Sequence, residues 1–125
     1  MNTQNLSGTT LAYIGDAVLE LIIRQRLVER GMTASSRLNE AARGYVSAKA
    51  QSRAVENILP ILTEDEEALF KRGRNASGIS VPKSASAIEY RRATGFEALF
   101  GALYLNGQSE RIEQLFSAAF PEKED

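Results

Sequence analysis

Apolar residues recur at intervals of three and four along most of the chain, which is the period of α-helices. The clearest run covers residues 11–27, where the apolar positions lie on one helical face. Similar patterns follow at about 35–43, 46–60, 64–73, 86–105 and 109–119. The pattern predicts an all-α fold. The chain of 125 residues is the size of one domain, and we expect a single core covering about residues 8–120.

Residues that favour helix ends refine these boundaries. Thr9 or Thr10 can cap the first helix, and Ser35 or Ser36 can cap the second. Gly44 is expected to interrupt that second helix, because glycine is a poor helix former.

The run Thr63-Glu64-Asp65-Glu66 has the form of a capping box. Its acidic residues suit the start of a helix, where they complement the helix dipole. We therefore assign this acidic cluster to helix initiation and not to a metal site. Gly31 and the pair Asn106-Gly107 fall where the preceding helices should end.

The chain lacks two residue types that often carry catalysis or bind metals, and this limits its chemistry. The chain contains no cysteine and no histidine. Disulfides, thiolate nucleophiles and Cys-ligated zinc are excluded, and so is the usual general base at neutral pH. An enzyme built from this chain must use carboxylates, hydroxyls, Lys, Arg or a bound metal.

The sequence also bears on location. No apolar run approaches the roughly 20 residues that span a bilayer. Residues 1–7 are polar and lack the pattern of a secretion signal. We expect a cytoplasmic protein without a membrane partner.

The net charge of −1 hides an uneven distribution. Residues 1–70 carry a net charge of −2, residues 71–92 carry +5, and residues 93–125 carry −4. A local positive surface is what a polyanion ligand requires. The alternative is that the basic run is simply a solvated face.

Two carboxylates, Asp16 and Glu97, fall within apolar helical runs. A buried carboxylate is costly unless it is paired or holds a metal. Small neighbours such as Gly15 and Gly101 would let two helices approach closely, and two carboxylates brought together repel each other unless a cation lies between them. Oxygen ligands without histidine favour Mg²⁺ or Mn²⁺. The alternative is that each acid pairs with a nearby arginine.

These two acidic runs resemble motifs of the ribonuclease III family. The run Tyr13-Ile14-Gly15-Asp16-Ala17-Val18-Leu19 resembles the family's signature helix, which usually reads Leu-Glu-Phe-Leu-Gly-Asp-Ala-Val-Leu. The run Phe96-Glu97-Ala98-Leu99-Phe100-Gly101-Ala102-Leu103-Tyr104-Leu105 resembles its second acidic motif. Residues 11–17, 46–51 and 71–76 resemble the Mini-ribonuclease III subfamily, which lacks a double-stranded-RNA-binding domain.

The resemblance implies a ribonuclease III-like helical domain, a symmetric homodimer and Mg²⁺-dependent cleavage of double-stranded RNA, with Mn²⁺ able to substitute. It implies that Asp16 is a metal ligand and the principal catalytic carboxylate, and that Glu97 is the second ligand. It also implies a ribosomal RNA precursor as substrate, with the 23S precursor as the first choice.

The sequence departs from the larger family members at two positions. Ala12 stands where they have a Glu, and Thr94 stands where they have an Asp. The subfamily shares the first departure. With fewer carboxylates, more of the metal's shell must come from water or RNA phosphate. Glu20 lies one turn after Asp16, and we expect it in an ion pair instead of the metal shell.

The loop of about residues 72–85 is long for so small a chain, and such loops are usually functional or disordered. We expect it to bind the shape of an RNA duplex. The alternative is a flexible linker. Arg91 and Arg92 could contact RNA or pair with the active-site acids, and both alternatives stay open. The expected RNA-binding residues are Lys71, Arg72, Arg74, Asn75, Lys83 and, from the resemblance alone, Lys49, with Ser77 and Ser84 as further hydrogen-bonding groups.

Two further interpretations compete with that of a ribonuclease. The loss of two acids would also suit a catalytically weak RNA-binding domain of the same fold that acts in ribosome assembly. The retention of both Asp16 and Glu97 argues against it. A helical dimerisation module without nucleic acid is the third interpretation, and the basic loop argues against that one.

Overall fold

A computed structural model describes residues 2–78, 80, 81, 83 and 86–121. Within these residues, two single 3₁₀ turns, at residues 3–5 and 59–61, accompany six α-helices. The described residues contain no β-strand, so the all-α prediction is confirmed. Within the same residues, no helix is long and apolar enough to cross a membrane. The helices are α1 (Gly8–Glu29), α2 (Ser35–Val46), α3 (Ala48–Ile58), α4 (Glu64–Arg74), α5 (Ala87–Leu105) and α6 (Ser109–Ala119).

Helix α5 is the centre of the molecule, with α1, α3, α4 and α6 packed around it. Its apolar residues are buried on nearly every side, which is why its sequence shows no polar face. Phe96 and Phe100 lie with ring centroids 4.8 Å apart. The other helices contribute one apolar stripe each, including Leu19 and Ile23 of α1 and Phe116 of α6.

Glycines let α1 and α5 touch through their backbones. A Cβ atom at Gly15 would overlap the carbonyl oxygen of Glu97, and one at Gly101 would overlap the carbonyl oxygen of Leu11. No side chain fits at either crossing point. The predicted close approach is therefore confirmed, and it fixes Asp16, the residue after Gly15, at this crossing.

The capping box at the start of α4 is present as predicted. The Thr63 hydroxyl accepts a hydrogen bond from the Glu66 backbone N–H at 3.1 Å, and the Glu66 carboxylate accepts one from the Thr63 N–H at 2.9 Å. The sequence did not reveal that the Glu66 carboxylate has a second partner, on α6. Arg111 of α6 donates to both oxygens of the Glu66 carboxylate at 2.8 Å, so this residue also ties α4 to α6.

The predicted cap of α1 is wrong. The helix starts at Gly8, and the Ser7 hydroxyl accepts from the Thr10 backbone N–H at 3.1 Å. Thr9 and Thr10 lie inside the first turn, because Ser7 already has the extended backbone that a cap requires.

The predicted features of α2 also need correction. Ala34 is its N-cap residue without a side-chain hydrogen bond, and Ser35 and Ser36 lie inside the helix. Gly44 does not interrupt the helix, which runs on to Val46. A helical glycine costs about 1 kcal/mol, and the burial of Tyr45 in the core offsets that cost. The break falls instead at Ser47, which caps α3.

Candidate active site

The crossing of α1 and α5 brings Asp16 and Glu97 together. Burial, the negative charge of Asp16 and a side-chain hydrogen bond with Asp16 raise the pKa of Glu97 to about 8. Near pH 7 the Glu97 carboxyl of the metal-free protein therefore keeps its proton.

The alternative that each acid pairs with an arginine is wrong for the part of the chain that the structure describes. No Lys or Arg there forms an ion pair with Asp16 or Glu97. Arg91 donates to the backbone carbonyls of Arg74 and Ala76 at 3.3 and 3.0 Å.

Arg92 is likewise engaged away from the acids. It donates to the Ser52 hydroxyl at 3.3 Å and pairs with the Glu56 carboxylate at 3.2 Å. The carboxylate pair thus has no fixed cation from these side chains.

The two acids lie in an open cleft of about 570 Å³. Its walls come from α1, the end of α2, α3, α5 and the segment that follows α4. Residues that line it beside the acids include Thr9, Ala12, Gln51, Gly78, Ser80 and Thr94.

The donor set fits a hard divalent cation with few protein ligands. Two carboxylates that repel each other line the same cleft, and a cation between them would relieve that repulsion. Among the described residues, no three or more acidic, His or Cys side chains are arranged so that together they could hold a metal ion, so the protein offers few ligands here.

Neighbouring groups that could join such a site are engaged elsewhere. The Thr94 hydroxyl donates to the carbonyl of Tyr90 at 3.0 Å. Glu20 forms an ion pair with Arg24 at 3.0 Å, as expected from its position one turn after Asp16.

The predicted RNA-binding residues of α4 differ in their surroundings. Lys71 is half-exposed and pairs with Glu67 at 2.9 Å. The Arg74 guanidinium lies 5.7 Å from the centroid of the Phe70 ring and donates to the Asn75 side chain at 3.0 Å.

Arg72 is turned towards the N-terminal segment. It donates to the backbone carbonyls of Thr3 and Leu6 at 2.8 and 3.2 Å, which anchors that segment. Lys49 and Lys83 are exposed, and so is Ser77, whereas Ser84 lies outside the described residues. The structure brings Gly78 and Ser80 of the predicted loop to the same cleft as the two acids.

Comparisons with known proteins identify the family to which this fold belongs. The sequence profile of the Ribonuclease III domain matches residues 9–108. A protein named Mini-ribonuclease 3 from Symbiobacterium thermophilum is 48% identical, over 94% of this chain and 91% of its own. One of the same name from Enterococcus faecalis is 47% identical, over 91% and 88%.

A solved structure has the same fold. The crystal structure of a Fusobacterium nucleatum protein aligns with a TM-score of 0.84 at 33% identity, covering 95% of both chains. The chain therefore belongs to the ribonuclease III family and, within it, to the Mini-ribonuclease 3 group. The resemblance drawn from the two acidic motifs is confirmed.

Proposed function

We propose that this ribonuclease III-family protein is a Mg²⁺-dependent endoribonuclease that hydrolyses double-stranded RNA at the cleft between α1 and α5. The observation that carries the proposal is the convergence of Asp16 and Glu97 in an open cleft with no side-chain cation from the described residues to neutralise them. Mn²⁺ would fit the same oxygen donors.

Asp16 and Glu97 would hold the cation, and Glu97 must first release the proton that its surroundings retain. When bound, a divalent cation supplies acidified water and positive charge against the phosphate oxygens. Ala12 and Thr94 leave the rest of the shell to water and RNA phosphate. The site should therefore bind its metal more tightly when RNA is present.

The cleft and the segment after α4 would hold the duplex without a further RNA-binding domain. Lys71, Arg74 and Lys83 remain proposed phosphate contacts, with Asn75 as a hydrogen-bonding group and Lys49 at the edge of α3. Arg72 is a weaker candidate for a phosphate contact, because its Nη1 group donates to two backbone carbonyls. A ribosomal RNA precursor, with the 23S precursor as first choice, is the proposed substrate, and it would place the protein in the cytoplasm.

Two such clefts in a symmetric homodimer would cut both strands of a duplex. The outer face of α1 supports this arrangement, because Tyr13 and Leu21 are 80% and 65% exposed. Next to it, α1, Tyr104 and Ile112 form an apolar groove of about 370 Å³. An exposed apolar surface of this kind is typical of an interface between protein chains.

The deciding experiment measures cleavage of a long RNA duplex in Mg²⁺ and in EDTA. We expect cleavage in Mg²⁺ alone, and a loss of at least about 100-fold for Asp16→Asn, since oriented charge at the reacting phosphate is a large part of catalysis. Glu20→Gln is the matched control one helical turn away and should keep full activity. Binding without cleavage would favour the alternative of a catalytically weak RNA-binding domain.

A further inference from the structure

Gln51 is a buried polar residue that the carboxylate mechanism does not use. It lies on α3, is 3% exposed, and lines the same cleft as Asp16 and Glu97. Its side chain forms no hydrogen bond with any residue in the described part of the chain. Every fully enclosed side-chain nitrogen and oxygen there has a partner. The Gln51 carboxamide must therefore reach the open space of the cleft.

An amide in this position is costly unless something else binds it. A buried polar group without a partner destabilises a protein by about 1–3 kcal/mol. The next residue, Ser52, is also buried, and its hydroxyl accepts a hydrogen bond from Arg92. The contrast shows that a buried polar side chain of α3 can find a hydrogen-bond partner elsewhere in the protein. Gln51 is left to water or to a ligand in the cleft.

The position of Gln51 on α3 favours an anionic ligand. Ala48, the first residue of the helix, lines the same cleft. The Ser47 hydroxyl caps the start of α3 by accepting a hydrogen bond from the Ala50 backbone N–H. The positive end of the α3 dipole and the amide donor of Gln51 therefore act on the same space.

We propose that the Gln51 carboxamide donates a hydrogen bond to a non-bridging phosphate oxygen of the RNA strand held beside Asp16 and Glu97. This inference rests on the proposed function and adds a substrate-binding residue to it. The first turn of α3 and the Gln51 side chain would form a backbone-phosphate subsite. Gln51 would fix the distance between the RNA strand and the carboxylate pair.

The first test replaces Gln51 by methionine, which keeps the shape of the side chain and removes both hydrogen-bonding groups. We expect kcat/KM for duplex cleavage to fall by about 10- to 100-fold, the range of a hydrogen bond to a charged group. The melting temperature should stay unchanged or rise, because the protein loses no hydrogen bond. Gln51→Glu should be more harmful, since it adds a negative charge opposite the phosphate.

Ser52→Ala is the matched control. It removes the other buried polar side chain of α3 and should lower stability while leaving kcat/KM unchanged. A kcat/KM for Gln51→Met within twofold of wild type would overturn the proposal. So would equal losses for Gln51→Met and Ser52→Ala, because both would then report structural damage.

The second test identifies the RNA group. Duplexes with a single methylphosphonate or a single 2′-deoxy sugar near the cut are compared in wild type and Gln51→Met. A phosphate contact predicts that one methylphosphonate and the Gln51→Met change are non-additive, while the 2′-deoxy changes add. Non-additivity with a 2′-deoxy sugar instead would overturn the phosphate assignment.

The failure of the proposed function would be visible separately. If wild type does not cut the duplex in Mg²⁺, the enzyme proposal fails. Binding of the same duplex in Ca²⁺ then decides the role of Gln51. A weaker affinity for Gln51→Met supports it, and an unchanged affinity or no binding by wild type overturns it.

Discussion

At the scale of single residues, the raised pKa of Glu97 links the active site to stability. An ordinary glutamate titrates near 4.5, and Glu97 in the folded, metal-free protein titrates at about 8. Between these values the folded state keeps a proton that the unfolded chain releases. Stability therefore decreases as pH rises from 4.5 to 8, and the Glu97 contribution is constant above that.

Urea unfolding in EDTA at several pH values checks this dependence. We expect a loss of up to about 1.4 kcal/mol per pH unit from this group in wild type. Glu97→Gln cannot ionise and should remove that part of the slope. Glu20→Gln, which lies in an exposed ion pair, should leave it intact. Equal slopes in wild type and Glu97→Gln would contradict the assignment.

At the scale of helices, the Glu66–Arg111 pair joins α4 to α6. Glu66 is almost fully buried, and its hydrogen bonds from Arg111 outweigh the effect of burial and lower the pKa of its carboxyl. Arg111→Met would leave that buried charge without its partner. We expect a loss of about 2 kcal/mol in the free energy of unfolding at pH 7, reduced from the full value for a buried pair because Arg111 is partly exposed.

Denaturant unfolding at pH 7 and pH 3.5 measures this effect. A lowered carboxyl pKa gives stability that is present above the ordinary value of 4.5 and is lost as pH falls through the folded-state value. The difference between wild type and Arg111→Met should therefore shrink at pH 3.5. Arg24→Met breaks an exposed pair within one helix and should cost less than about 0.5 kcal/mol. Equal losses for both variants would refute the helix-joining role.

The last turn of α4 and the segment after it carry two kinds of basic residue. Exposed or half-exposed side chains such as Arg74 and Lys83 can reach a phosphate, whereas Arg72 holds the N-terminal segment. We expect the double change Arg74→Gln and Lys83→Gln to weaken duplex binding. The slope of log affinity against log salt should flatten by about 0.7–0.9 for each phosphate that the variant no longer neutralises.

Arg72→Gln is the comparison for that experiment. It should lower the melting temperature, because two backbone carbonyls lose their donor, and it should change the salt slope less than the double variant. Binding isotherms measured between roughly 50 and 300 mM salt give the slopes, because counterion release affects binding strongly in this range. An unchanged slope in the double variant would show that these residues do not bind the RNA.

At the scale of the whole molecule, the exposed apolar stripe of α1 predicts self-association. Leu21→Glu places a charge in the centre of the proposed interface. We expect sedimentation to show a dimer for wild type and a monomer for this variant, with the helical content unchanged. Ile61→Glu, at another exposed apolar position, should remain dimeric. A monomeric wild type would contradict the prediction.

The sequence by itself determined the helices and the chemistry available to the site. Helix periodicity and the capping box at Thr63 depend on residues a few positions apart, so they can be read locally. The absence of His and Cys, together with Asp16 and Glu97 in apolar runs, restricted the site to carboxylates. Local cues were weakest at α2, where the burial of Tyr45 outweighs the helix-breaking tendency of Gly44.

Only the tertiary structure decided which groups meet. Asp16 and Glu97 are about 80 residues apart in the sequence, and their shared site exists because α1 and α5 cross at Gly15 and Gly101. The sequence could not show that Arg72 is bound to backbone carbonyls. Nor could it show that the Gln51 carboxamide lies at the cleft without a hydrogen-bond partner among the described residues. These properties depend on packing between distant segments, which local periodicity does not encode.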